Sequence, residues 1–338
     1  MKHQAKTQLS LIKLPSTGKR VAKQLTQPVQ DSTREYVEAA VPNNTRLAYG
    51  RQWRLFTQHC AQIGKLALPA EPETVVGYIQ HLANAGLRVS SIEQALAAIT
   101  WMHSNAKHDN PRSDPRVKIV MKGIRTKIGA RPKQKTPLLR DQLIEALAGE
   151  GADLRGLRNR ALVLTGWTAC LRASELIGID YEHVTLIGNT GTILIPKSKT
   201  DQDGEGLLKH LPAIDDPRLS AVSALRQWMG AADITEGPVF RAVLGDEDTR
   251  DAYMTTRTAR RIIKAAGKRA GLDAAGLSGH SLRSGFITQA ALNGVPLWQI
   301  AEQSGHKPGS AVLQDYIRTS GAGARNAVLG AFGRKPSE

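Results

Sequence analysis

Residues 278–285 read Ser-Gly-His-Ser-Leu-Arg-Ser-Gly. Where such a stretch opens a helix, His280 and Arg283, three apart, bring an imidazole and a guanidinium side by side on one face of the first turn. The first backbone N–H groups of a helix have no intrahelical partner, so the same corner is short of acceptors. An anion suits it. The octapeptide by itself is equally compatible with a polar helix start, and the rest of the chain must decide between the two.

The chain of 338 residues is long enough for two domains, each with its own core. Lys and Arg number 46 against 30 Asp and Glu, a net charge of +16, while 41% hydrophobic content marks a folded protein. A phosphate-rich partner, nucleic acid, follows from that balance. The charge is concentrated. Residues 1–32 form a basic arm, with Lys2, Lys6, Lys13, Lys19, Arg20 and Lys23 in a stretch of little periodicity. From Arg116 to Arg140 nine basic residues occur without an acid. Among them Lys118, Lys122, Arg125, Arg131, Lys133 and Lys135 are the candidate DNA contacts. Cys60 and Cys170 each fall on an apolar helical stripe and have no metal or redox spacing, so both read as reduced core residues of a cytosolic protein. No cofactor motif occurs, and no apolar run reaches the length of a membrane span.

Helical periodicity dominates the first half. Tyr49, Trp53, Phe56, Cys60 and Ile63 form a stripe after an Asn44 cap; Val75, Ile79 and Leu82 form another after Pro72. Ser90 and Glu93 match a capping box ahead of Ile92, Leu96 and Ile99, and Val117, Met121, Ile124 and Ile128 make a fourth stripe. Residues 33–129 are therefore expected to form a helical domain with one basic face, followed by a Pro-bounded basic linker at 130–137. Residues 138–338 resume with helices. Within them Thr192–Pro196 and Leu207–Ala213 flank the turn-rich Lys-Ser-Lys-Thr-Asp-Gln-Asp-Gly-Glu-Gly (197–206), which predicts a hairpin or small antiparallel sheet. Later helices are expected at 217–231, 255–270, 281–293, 296–304 and 310–318.

The residues able to carry chemistry are Arg172 and Glu175 in Leu-Arg-Ala-Ser-Glu-Leu, Lys199 in the hairpin turn, His280 and Arg283, His306 in Ser-Gly-His, and Tyr316 in Tyr-Ile-Arg. Each alone has a plain structural explanation, such as an i, i+3 helix pair for Arg172 and Glu175. In this order the set resembles the tyrosine recombinase (phage integrase) family, and within it the Cre-like site-specific recombinases. The stretch 68–87 (LPAEPETVVGYIQHLANAGL) also looks like a helix of that group's N-terminal domain, so the resemblance spans both domains.

That resemblance implies a fold that is mainly α with a small antiparallel β-sheet in the C-terminal domain. It further implies a two-domain DNA clamp, in which a helical, SAM-like core-binding domain accompanies a catalytic domain. Arg172 and Arg283 would match the phosphate-clamping arginines and Lys199 the general acid. His280 and His306 would be the supporting histidines, Glu175 the acidic helper and Tyr316 the nucleophile. The implied partners are double-stranded DNA carrying paired inverted-repeat sites and a homotetramer assembled on two such sites. The implied activity is strand exchange through a Holliday junction without metal or ATP. The implied setting is the bacterial cytoplasm and nucleoid, on a plasmid, phage or other mobile element. The segment 322–333 (AGARNAVLGAFG) is expected to dock either on a neighbouring protomer or on its own domain. One spacing departs from expectation: His306 and Tyr316 are ten apart where nine is expected, with the extra residue in the turn Lys307–Ser310. Two rival readings stay open, a type IB topoisomerase and a non-catalytic DNA-binding regulator of the same fold.

Overall fold

The computed structural model describes residues 42–129, 135–196, 206–244, 248–307, 309–310, 313–314 and 316. The N-terminal basic arm, Arg131, Lys133, Lys199 and the segment 322–333 lie outside the described residues. The protein is mostly helical with small antiparallel sheets, and it divides into two compact units, Met1–Lys133 and Gln134–Glu338.

In the first unit four helices are described: α1 (Asn43–Gln62), α2 (Pro72–Asn84), α3 (Val89–Asn105) and α4 (Pro115–Ile128). Helix α1 packs on α3 and α2 on α4. Their apolar stripes meet in one core of Phe56, Cys60, Val75, Tyr78, Ile79, Ile92, Leu96, Ile99, Val117 and Met121. Burying each large side chain contributes about 1.5–3 kcal/mol, which is what holds these helices together. His103 belongs to this core and not to a site. Its Nδ1 lies 2.8 Å from Ile99 O and its Nε2 accepts from Ala70 N–H at 2.8 Å. Burial, opposed by the Ile99 carbonyl and reinforced by His108, lowers its pKa, so the ring is neutral, with its proton on Nδ1.

Three local features differ from expectation. Helix α1 starts at Asn43, with Pro42 before it and no side-chain cap at Asn44, and Ile63 lies past its end, 48% exposed. Helix α3 starts at Val89 without a side-chain cap, so Ser90 and Glu93 form no capping box. Glu93 instead binds the guanidiniums of Arg112, at 2.7 Å, and Arg125. An arginine pair is a better partner for a carboxylate than one backbone N–H. The basic face of α4 is therefore partly neutralised from neighbouring elements: Arg116 bonds Asp114 at 2.8 Å and also pairs with Glu73, while Lys118 and Lys122 stay exposed.

The second unit contains α5 (Arg140–Ala148), α6 (Leu154–Thr168), α7 (Ala173–Ile177), β1 (Val184–Ile187), β2 (Thr190–Ile195), β3 (Leu207–Leu211), α8 (Ala221–Ala231), β4 (Arg241–Leu244), β5 (Asp248–Tyr253), α9 (Thr256–Arg269), α10 (Ser281–Leu292) and α11 (Leu297–Ser304). Strands β1-β2-β3 form an antiparallel sheet in that order, with Leu194 opposite Leu208 and Ile193 opposite Lys209. A second hairpin, β4-β5, and strand β1 were not anticipated; β5 is polar and mostly exposed, so it carries no period-2 signal. Pro217 opens a short 3₁₀ turn, and α8 begins only at Ala221, capped by Ser220. Cys170 is not on a helical stripe. It follows α6 with φ 54° and is fully buried, in the turn that leads into Arg172.

Helix α10, the one that His280 and Arg283 predict, is buried along most of its first two turns. Ser281 O accepts from Leu138 N–H at 3.1 Å, and a β carbon added at Gly285 would come within 2.0 Å of Leu138 O. Only a glycine permits that approach of α10 to the chain entering the domain. Gly285→Ala is accordingly expected to destabilise the second unit by about 1–3 kcal/mol through overpacking against backbone, a drop of roughly 2–12 °C in thermal unfolding. An unchanged melting curve would contradict the close packing.

Candidate active site

Four chain segments meet in the second unit. The turn after α6 positions Arg172 as the N-cap residue of α7. There Glu175 accepts the Arg172 backbone N–H through Oε2 at 2.8 Å and the Arg172 Nη1 through Oε1 at 2.5 Å. The i, i+3 pair is thus a charge-assisted brace that fixes the guanidinium. Arg283, on the first turn of α10, is 4% exposed. Its Nη1 donates to Cys170 O at 2.7 Å, and its Nη2 faces the two ring nitrogens of His306 at 3.3 and 3.4 Å. Cys170 in its left-handed turn therefore offers a carbonyl, while burial pushes its thiol up to about 12, leaving it protonated and inert.

His306 follows α11. The helix ends at Gly305 with φ 65°, a conformation that favours glycine, and the His306 N–H returns to Ala301 O at 3.1 Å. Ser304 Oγ lies 2.8 Å from His306 Nδ1. Burial first, then the cations Arg283, Arg172 and Lys209, push His306 down to about 4, so at neutral pH it is an uncharged ring facing Arg283. His280 is the N-cap residue of α10 and makes no side-chain cap. Partial desolvation of its ring, then repulsion from Arg283, Arg172 and Arg260, lowers its pKa below the ordinary histidine value.

Tyr316 is half-buried and helical, and packs against the cluster of Cys170, Ile287, Ile300 and Leu313. Its ring centre lies 6.5 Å from that of His306. Between the two, Ser310 Oγ accepts from Leu313 N–H at 3.2 Å, and Ser310 O from Gln314 N–H at 3.1 Å. Burial lowers the Arg283 pKa, and the nearby Arg172 charge adds to that shift. Arg172, Glu175, His280, Arg283, His306 and Tyr316 are thus gathered around one cationic corner, whereas Lys199 lies outside the described residues. Of the basic residues proposed for DNA, Lys118, Lys122, Arg125 and Lys135 are exposed.

Sequence reasoning missed Lys209, which is 2% exposed on β3 and feels Arg283, Glu175 and Arg172. The signal was present: in Leu207-Leu-Lys-His-Leu211 a lysine occupies an inward position of an alternating strand. Two guanidiniums, neutral imidazoles and a phenol around one corner can bind a phosphodiester and place an oxygen nucleophile beside it. Among the described residues no group of three or more His, Cys, Asp or Glu is arranged as metal ligands, and no helix is long and apolar enough to cross a membrane.

Comparison with known proteins follows the same lines. A family model described as the phage integrase family matches residues 139–322. An integrase/recombinase xerD homolog of Selenomonas ruminantium is 33% identical over 297 residues, covering 86% of this chain and 86% of the relative. The recombinase cre of Escherichia phage P1 is 25% identical over 291 residues, covering 80% and 82% respectively. Two solved structures share the fold. One is the XerH site-specific recombinase bound to palindromic difH substrate in a post-cleavage complex, with a TM-score of 0.59 at 15% identity over 88% of this chain and 81% of that one. The other is a lambda integrase (75–356) dimer bound to a COC' core site, with a TM-score of 0.58 at 14% identity over 87% and 96%.

Proposed function

We infer that this chain, which belongs to the phage integrase family of tyrosine recombinases, breaks and rejoins DNA through a covalent bond between Tyr316 and a 3′ phosphate. The observation that carries this reading is the cluster itself, with Arg283 bonded to the Cys170 carbonyl and facing His306, whose ring centre lies 6.5 Å from that of Tyr316.

Tyr316 Oη attacks the phosphorus and gives up its proton to a neutral imidazole or water, while the bond from phosphorus to the 5′ oxygen breaks. Lys199 donates the proton that the departing 5′ oxygen takes up. Extra negative charge develops on the non-bridging oxygens, where Arg172, held by Glu175, and Arg283 bind it in a fixed geometry. His280 and His306, uncharged at neutral pH, hydrogen-bond the phosphate and relay protons. The 3′-phosphotyrosine keeps the energy of the cut bond, so attack by a different 5′ hydroxyl rejoins the strand with neither ATP nor metal. Four protomers on two inverted-repeat sites would exchange strands in two such rounds through a Holliday junction, in the bacterial cytoplasm on chromosomal, plasmid or phage DNA. The first unit serves as the helical core-binding domain, followed by the basic linker.

The test is capture on a nicked suicide duplex carrying the element's own repeats, which loses the 5′ hydroxyl after cleavage. A covalent band resistant to chelator is expected; none on DNA that the protein binds would return the chain to the regulator reading. Relaxation of supercoiled plasmid lacking those repeats would favour the topoisomerase reading. Binding should also depend steeply on salt. Each phosphate neutralised contributes about −0.9 to the slope of log K against log salt, so replacing Lys118, Lys122 and Lys135 together by glutamine should flatten it by about 2.7. An unaltered slope, read by fluorescence anisotropy across a salt series, would remove these lysines from the DNA interface.

A further inference from the structure

Lys209 occupies the core face of β3 with Leu211, opposite Ile193, where an apolar residue would be expected. Its Nζ donates to Gln303 O in the last turn of α11, where carbonyls lack intrahelical partners. Gln303 Nε2 in turn donates to Thr168 O at 2.7 Å and to His210 O at 3.4 Å. This turn is therefore tied to β3 and to the end of α6. Immediately after Gln303 come Ser304, which bonds His306, and Gly305, where an added β carbon would lie 3.9 Å from Lys209 Nζ. Burying an ammonium costs several kcal/mol, and one carbonyl offsets little of that. A methionine would fill the space without the cost, so the charge itself calls for a use.

We propose that Lys209 is a positioning residue of strand cleavage: its ammonium, carried on the hairpin strand that follows Lys199, fixes the Gln303–His306 turn against Arg283 and adds a third cation behind the phosphate site. This rests on the reading of Tyr316 as the nucleophile. The groups facing Lys209 are Cys170, Arg283, Glu175, Arg172 and His306. Burial pushes Lys209 down to about 8, with Glu175 opposing the shift and the two arginines adding to it. A lysine lowered in this way carries its charge below about pH 8 and loses it as the pH rises further.

The experiment compares full-length wild type, Lys209→Met and Lys209→Arg in single-turnover cleavage of the suicide duplex from pH 6.5 to 9.5. A second duplex carries bridging sulfur in place of the 5′ oxygen, a leaving group that needs no proton. With DNA affinity unchanged, Lys209→Met is expected to cleave roughly 10–100-fold slower at pH 7, the range typical of lost supporting partners. That deficit should shrink as wild type loses the charge above pH 8, and sulfur should not rescue it, although sulfur should rescue Lys199→Met. A wild-type rate in Lys209→Met, or a deficit constant with pH, would overturn the proposal. Rescue by sulfur would overturn it too, because Lys209 would then be the proton donor. If Lys209→Met does not fold, Lys209→Arg decides, since its charge does not titrate: its rate should fall less steeply above pH 8 than wild type, and an identical fall overturns the role. Absence of any wild-type adduct would bring down the Tyr316 reading and this inference with it, and is distinguished by that control.

Discussion

A Tyr316→Phe protein is expected to bind its duplex as tightly as wild type and to form no covalent adduct, a loss on the order of 10⁴-fold or more in single-turnover cleavage. The phenol is half-buried beside His306 and packs against Ile287 and Ile300, contacts that phenylalanine reproduces atom for atom except the hydroxyl. Removing a nucleophile leaves only what binding and electrostatics achieve, which is why such losses dwarf those of supporting groups. Gel shift and denaturing gel on the same samples separate binding from chemistry. Residual adduct at wild-type yield would mean another residue attacks.

The second large effect is expected at the arginines. Arg283→Lys should keep DNA binding within a few-fold and reduce cleavage by roughly 100–1,000-fold, the cost typical of losing one preorganised donor at a developing oxyanion. Arg283 spends one N–H on Cys170 O and turns Nη2 to His306, leaving further N–H groups of the same plane for the phosphate. A lysine ammonium cannot span the carbonyl and the imidazole at once and still point a planar fork at an anion. Arg172→Lys should bind and cleave poorly for the related reason that its guanidinium is held by Glu175. Rapid-quench cleavage of both variants measures this. A lysine variant that cleaves like wild type would show that net charge suffices and that the clamp geometry is incidental.

Much of this was legible in the sequence, for reasons that differ by residue. The stripes Val75–Ile79, Ile92–Leu96–Ile99 and Val117–Met121–Ile124 announced their helices because those faces are buried in one core. His280 and Arg283 announced α10 by its start, yet the site depends more on what the chain order could not show: that Arg283 reaches back across the fold to Cys170 O. Glu93 looked like a cap because sequence sees only its near neighbours, whereas Arg112 and Arg125 compete for it from other elements. Strand β5, polar and exposed, has no alternation to read. Lys209 was passed over because a lysine in a strand is ordinarily an outward residue, although its alternation with Leu207 and Leu211 places it on the inward face.

The identity of the covalent bond decides whether Tyr316 attacks the phosphorus. Wild-type adduct from the suicide duplex, digested with nuclease and trypsin, would be sequenced by mass spectrometry while the DNA end is typed by exonuclease. The expected result is nucleotide mass on Tyr316 and a blocked 3′ end. Mass on any other residue, or a blocked 5′ end, would contradict it.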